Sequence, residues 1–389
     1  MALASASFAA SFDQSAGEFL DLSNELAFIN QHLSPFLDFI GIGGVAIETT
    51  HSWMEDSLNS RSTLSEASAD GILTASGVDT ALTVAAGEGL KFRIGDIFID
   101  TAAGKNERMQ VTLVATDVLT IVRAYGSTSV ETHGSGTTAF NIQIITHGAQ
   151  EGQDAPDDVS TTRSKVSNYT QIFHEGIKIN DTLQRALQAG VPNELSYQIM
   201  NRIKEIKEQI DASMIYGIKS ATVVGSDTVL RYMAGLIEFI TAAGGNTDDS
   251  AVALTPTVIN SMVEDIYDDG GNPNFILVGA NQKRAISSFD EAYRRSTVDD
   301  RTAGYIVDSF VSDILGTPLR VIVDPNVSND IAIVGDSSKL KVCSFLPLRA
   351  ENLARTGIAN KAQVSGQFTI EVKNALEAFA YHNNLTTRA

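Results

Sequence analysis

Residues 192–219 read PNELSYQIMNRIKEIKEQIDASMIYGIK. Leu195, Ile199, Ile203, Ile206, Ile210 and Met214 recur at steps of four and three, which puts them on one stripe of a helix. Pro192 suits the first helical turn, where a backbone N–H is dispensable. Lys204, Glu205, Lys207, Glu208 and Asp211 fall off the stripe. At 1.5 Å per residue the predicted helix is roughly 40 Å long. A helix of that length with one apolar stripe is expected to cross a flat domain as a spine. Its six stripe residues are the candidate structural core.

Two more helices are expected downstream, at 229–242 and 255–268. In TPTVINSMVEDIYDD, Thr255 is placed to cap, Pro256 to take the first position, and Gly270–Gly271 to end the helix. FILVGANQKR (275–284) then passes from a short buried strand through Gly279 into a helix. A phosphate-binding joint has the same order. The P-loop's second glycine and the Ser/Thr after Lys283 are missing, as are the later glycines of the dinucleotide fingerprint. GIGG at 41–44 leads into a strand-like run, not a helix. The joint is therefore expected to be architectural, with Asn281 capping a helix that begins near Gln282. Residues 290–304 read as a charged loop. Strands are expected at IVDSFVSDI, LRVIVD, IAIVGD and LKVCSFL, and the tail at 366–380 is mainly strand.

Upstream, VAIETTHSWMEDSL (45–58) and TTRSKVSNYTQIFHEGIKIN (161–180) read as extended strands. Val166, Tyr169, Ile172, Phe173, Ile177 and Ile179 supply the β-propensity. Between them, residues 72–147 fall into short Thr/Val/Ile-rich runs separated by Gly, Asp and Ser turns, a small all-β module. The acidic linker GAQEGQDAPDD (148–158) follows it. Residues 1–35 scatter Phe8, Phe12, Phe19, Leu20 and Leu22 among Ala and Ser, as expected of an arm that gains order by lying on another surface.

The 389 residues are 43% hydrophobic and 19% charged, a globular composition with room for two or three domains. The formal charge is −19, which argues against a domain that grips nucleic acid through clustered Lys and Arg. The N-terminus lacks the basic and apolar regions of a signal peptide, and no segment is long and apolar enough to span a bilayer. With Cys343 the sole cysteine, no internal disulfide can form and no cysteine-based zinc site is expected. Its apolar neighbours, LKVCSFLPL, predict a buried structural thiol. His32, His51, His133, His147, His174 and His382 show no metal-ligand spacing, and there is neither an H-E-x-x-H nor a G-x-S-x-G. Glu55 and Asp56 point to opposite faces of a strand, and Asp248–Asp249 and Asp299–Asp300 lack the rest of a calcium loop. No catalytic residue, cofactor or metal is expected, and the chain is not read as an enzyme.

Several blocks resemble, in order, the major capsid proteins of tailed bacteriophages: HSWMEDSL, NYTQIFHEGIKINDT, NELSYQIMNRIKEIKEQID, YMAGLIEFI, DIYDDGGNPNFILVGANQKRAISSF, LRVIVD and PLRAENLARTGIANKAQVSGQFTIEVKN. The resemblance covers about residues 45–58 and 160–380. It implies an α+β fold of the Hong Kong 97 type, with an N-terminal arm at 1–47 and extended-loop strands at 48–71 and 151–180. An inserted β module at 72–150 sits at the loop tip. The peripheral domain with the spine helix comprises 181–221 and 336–389, and the axial domain 222–335. The implied function is a shell protein that self-assembles into pentamers and hexamers around double-stranded DNA, without sequence-specific DNA binding. It is expected in the virion, assembled in the host cytoplasm. The implied partners are further copies of the chain, a separate scaffolding protein, a portal protein and a possible decoration protein, with no membrane. Lys91 and Lys105 lie in the module, but no acidic catalyst can be assigned and covalent cross-linking is not expected. An encapsulin-like compartment shares the fold and is the alternative.

Overall fold

The structure is a computed structural model that describes residues 34–56, 58, 60–135, 138–149, 151–152, 163–185, 193–220, 229–244, 246–289, 294–297, 306–316, 318–355 and 357–386. The described residues begin with helix α1 (Pro35–Ile40) and strands β1 (Ile42–Val45) and β2 (Thr50–Glu55). Then come β3 (Ser62–Leu64), β4 (Ala81–Thr83), β5 (Asp96–Asp100), β6 (Arg108–Ala115), β7 (Val118–Val122) and β8 (Asn141–His147). β9 (Ser164–Tyr169), β10 (Gln171–Asn180), α2 (Asp181–Arg185), α3 (Glu194–Tyr216), α4 (Leu236–Ala242), β11 (Asn246–Asp248) and α5 (Pro256–Asp268) follow. The remainder is β12 (Phe275–Val278), α6 (Ala280–Ser287), β13 (Arg294–Thr297), β14 (Ile306–Val311), β15 (Pro318–Val323), β16 (Ala332–Gly335), β17 (Leu340–Leu353), β18 (Ala359–Val372), α7 (Ala375–Ala378) and β19 (Phe379–His382). β2 and β9 pair as a two-stranded ribbon.

The chain divides into two compact units, one ending at Trp53 and resuming at Val166, the other Met54–Lys165. The larger unit holds a four-stranded sheet, β1-β17-β18-β10, and a seven-stranded mixed sheet, β11-β19-β16-β12-β15-β14-β13. All four residues of β12 are buried because both faces of its sheet are covered. Phe275 and Leu277 join the core beneath α1, α3 and α4, and Ile276 and Val278 join a second core with α5 and α6. Thr255 caps α5 by accepting from Val258 N at 3.3 Å, with Pro256 in the first turn, and the chain turns away through Gly270 at φ +91°.

Four expectations about local structure change. The spine, α3, has 23 residues, about 35 Å, and starts at Glu194 because the Asn193 side chain takes the N–H groups of Leu195 and Ser196. Pro192 lies outside the described residues. The helix expected at 229–242 shortens to α4. Ala234 N donates to Asn168 Oδ1 at 2.9 Å and Gly235 N to Gly217 O at 2.7 Å, so the preceding N–H groups bond across the fold. Residues 161–180 break at Thr170, whose N–H goes to Thr49 O, and β10 leaves the ribbon to pair with β18. The predicted tail strand belongs to β18, which begins earlier, at Ala359, and forms a long hairpin with β17. The arm's Phe8, Phe12, Phe19, Leu20 and Leu22 lie outside the described residues.

The smaller unit is a six-stranded antiparallel sheet, β3-β8-β5-β6-β7-β4. It has its own core of Leu73, Leu82, Phe98, Met109, Leu119, Ile142 and their neighbours. Residues 60–71, expected in the extended loop, lie in this unit: β3 pairs with β8, and Ser65 N donates to Phe140 O.

Candidate assembly surface

The strand-to-helix joint at Gly279 has no room for a phosphate. A Cβ at Gly279 would meet Val327 O at 2.9 Å, Asn329 Oδ1 at 3.0 Å and Ser328 O at 3.1 Å. The space before the helix is filled by this loop, and Asn329 Oδ1 accepts the Asn281 N–H at 3.2 Å. Asn281 is thus not the cap. The helix starts at Ala280 behind Gly279, and a side chain from a distant loop supplies the acceptor.

Of the six spine residues, Ile206, Ile210 and Met214 are buried, while Leu195, Ile199 and Ile203 are half-buried against the same core. Asp211, off the apolar stripe, is nevertheless fully buried. α1 lands on this side of the spine, and its free N-terminal N–H groups need acceptors. Leu37 N donates to Asp211 Oδ1 at 2.7 Å and Phe36 N to Asp324 Oδ2 at 3.2 Å. Asn326 Nδ2 reaches Asp211 Oδ2 at 3.0 Å. Burial, then the hydrogen bond with Asp324, pushes the Asp211 carboxyl up to about 8. The two carboxyls anchor the N-terminus of α1. Asn168 is a second buried tie: its amide donates to Ala234 O and Ile370 O and accepts from Ala234 N. Neither site shows in the sequence, since each partner is distant in the chain.

The four-stranded sheet ends at β1, which pairs in parallel with β17 on one side. Ile42 is 54% exposed, Val45 77% and Ile47 87%. Exposed β-branched residues along a sheet edge invite a further chain, because edges left to water are normally guarded by charge or Pro. Ile358, 75% exposed, adds an apolar residue at the turn of the β17–β18 hairpin.

In the smaller unit, four ionisable side chains are buried together. Glu107 accepts from Arg123 Nη2 at 2.6 Å and Nε at 2.9 Å, and its Oε2 lies 3.0 Å from His133 Nε2. His133 Nδ1 meets Asp100 Oδ2 at 2.8 Å. Burial works to raise the Glu107 carboxyl, but the bonds from Arg123, Glu131 N, His133 and Ala124 N outweigh it and bring it down to about 2. Ala124 sits at φ +50°, a strained value for a residue with a Cβ, and its bond to Glu107 helps hold it there. Among the described residues no helix is long and apolar enough to cross a membrane.

A family model described as SU10 major capsid protein matches residues 5–386. A curated major capsid protein of Escherichia phage Phieco32 is 22% identical over 272 residues, spanning 58% of this chain and 77% of the relative. A solved structure from Microbacterium phage Oxtober96 aligns over 97% of this chain and 99% of its own, at 12% identity and a TM-score of 0.48. The holo-SrpI encapsulin complex of Synechococcus elongatus PCC 7942 aligns over 58% of this chain and 80% of its own, at 13% identity and a TM-score of 0.41.

Proposed function

The chain belongs to the SU10 major capsid protein family, and from that premise we propose how this capsid shell protein of the virion assembles. Copies form hexamers and pentamers that close an icosahedral shell around double-stranded DNA. Assembly takes place in the host cytoplasm with a separate scaffolding protein and a portal protein. The observation that carries this is the family match across nearly the whole chain. The exposed apolar residues Ile42, Val45 and Ile47 along this edge support it, since an edge of this kind suits association with a neighbouring copy. The ribbon of β2 and β9 is the extended loop that lies over that neighbour, and the smaller unit decorates the shell exterior. The seven-stranded sheet with α5 and α6 is mostly the axial domain at the capsomer centre. The six spine residues Leu195, Ile199, Ile203, Ile206, Ile210 and Met214 hold the peripheral domain together. The net charge of −19 suits an inner wall that leaves packaged DNA free to move.

The test is electron microscopy of the chain co-expressed with a scaffolding protein, and of particles from infected cells. Closed shells built of hexamers and pentamers, with DNA inside, are expected. Particles that enclose a cargo enzyme instead of DNA would favour a compartment shell. Open tubes or monomers in the presence of scaffold would remove the assembly proposal.

A further inference from the structure

His51 on β2, Cys343 on β17 and Glu371 on β18 converge on one point of the larger unit, although 320 residues separate His51 from Glu371. His51 Nε2 lies 3.3 Å from Glu371 Oε2, Cys343 Sγ lies 3.7 Å from the same oxygen, and all three ligand atoms fall within 4.8 Å of one another. We propose that these three side chains bind one transition-metal dication of the zinc class, through an imidazole nitrogen, a thiolate and a carboxylate, with a fourth position open.

The spacing fits the chemistry. Metal–ligand bonds of about 2.0–2.3 Å at tetrahedral angles put neighbouring ligand atoms roughly 3.3–3.8 Å apart. Two of the three separations already have that length. The donor set of one thiolate, one imidazole and one carboxylate favours zinc or a metal like it over magnesium or calcium, which prefer all-oxygen shells. A second layer is in place: Lys373 Nζ holds Glu371 Oε1 at 3.0 Å and leaves Oε2 turned toward His51 and Cys343. Gly44 keeps space beside the sulfur, since a Cβ there would collide with Cys343 Sγ. The His51 side chain is 18% exposed, which leaves a path from solvent. The sequence argued against a cysteine-based zinc site because it has a single thiol, but a mixed donor set drawn from three strands needs only one.

Binding exchanges a proton for the ion: the Cys343 S–H bond breaks, an S–metal bond forms, and the proton leaves to solvent. Because each ion bound displaces that proton, zinc affinity should rise with pH. The bound ion would pin the first strand of the ribbon to the four-stranded sheet.

The full-length chain, stripped with chelator, should be titrated with cobalt and back-titrated with zinc. The expected result is a saturable thiolate-to-cobalt charge-transfer band at one ion per chain, displaced by zinc, with a higher melting temperature in zinc than in chelator. Cys343→Ser should abolish the band, and His51→Ala should weaken zinc binding by at least about tenfold. Circular-dichroism melts establish that both variants are folded. A wild-type chain that gives no thiolate band at stoichiometric cobalt overturns the site whether or not the variants fold. So does metal uptake that both variants leave unchanged.

Discussion

Asp211 and Asp324 show what a buried carboxyl does beside another. Asp211 is pushed up to about 8, first by burial and then by Asp324, so it carries a proton at neutral pH. The folded state then holds a proton that the unfolded chain releases near 3.9, so this contribution is full below that pH and fades as pH rises through about 8. Asp211→Asn cannot ionise and should flatten that slope. Urea midpoints at about pH 5 and about pH 9 should show the variant gaining on wild type at the alkaline end; parallel slopes would mean that no proton is shared. Glu107 has the opposite sign. Its carboxyl is held down to about 2, so its contribution is present above the ordinary glutamate value and is lost as pH falls toward 2. Glu107→Gln removes the close charged partner of Arg123 and leaves only the more distant, part-exposed Asp79 at 3.8 Å, so it should cost about 3 kcal/mol in the smaller unit. A calorimetric loss under about 1 kcal/mol would show that solvent reaches the Arg123 guanidinium. Neither site was legible in the sequence. Asp211 looks like any acidic residue on a helix's polar face, and only the docking of α1 makes it interior.

At the scale of elements, periodicity located the spine and the capped helix α5, because 3.6-residue spacing and capping chemistry are local. It failed where long-range bonds decide. Residues 230–235 have helical composition, but Asn168 and Gly217 take the N–H groups of Ala234 and Gly235. The β17–β18 hairpin is longer than the predicted strands because 14-residue partners satisfy one another across polar stretches with no apolar alternation. The spine's burial makes a graded prediction. Ile206→Ala should destabilise the larger unit by about 2–5 kcal/mol, whereas the same change at half-buried Ile203 should cost less. Equal losses in urea melts would place both residues in the same environment. The β1 edge calls for a different outcome. Val45→Lys and Ile47→Lys put charge on side chains already in water, so the isolated subunit should melt within about 0.5 kcal/mol of wild type. Particle yield should nevertheless collapse if a neighbouring copy covers this edge. Normal shells from the double variant would leave the edge facing solvent.

At the scale of the whole molecule, the sharp change in composition leads one to expect a β module between two extended strands, but it does not say where that module starts. The second unit runs Met54–Lys165, and its boundary is set by pairings that composition does not signal. β3 at Ser62–Leu64 is hydrogen-bonded to β8, Ser65 Oγ accepts from Phe140 N, and Leu73 belongs to the module's core. Excising residues 75–146 would therefore strip β3 of its partner and leave Leu73 in water. Excising residues 58–161 and joining the ends with a short Gly/Ser linker removes the sheet and its core together. The remaining unit keeps both of its own cores, which include no residue of the module. The wider excision should thus melt cooperatively near the wild-type temperature of the larger unit, while the narrower one should expose apolar surface and aggregate. Particles from the wider excision should form with reduced heat resistance if the module bridges neighbouring copies on the shell. Unchanged heat resistance would make the module an ornament, and a subunit that fails to fold without it would show that the larger unit depends on contacts its own cores do not supply.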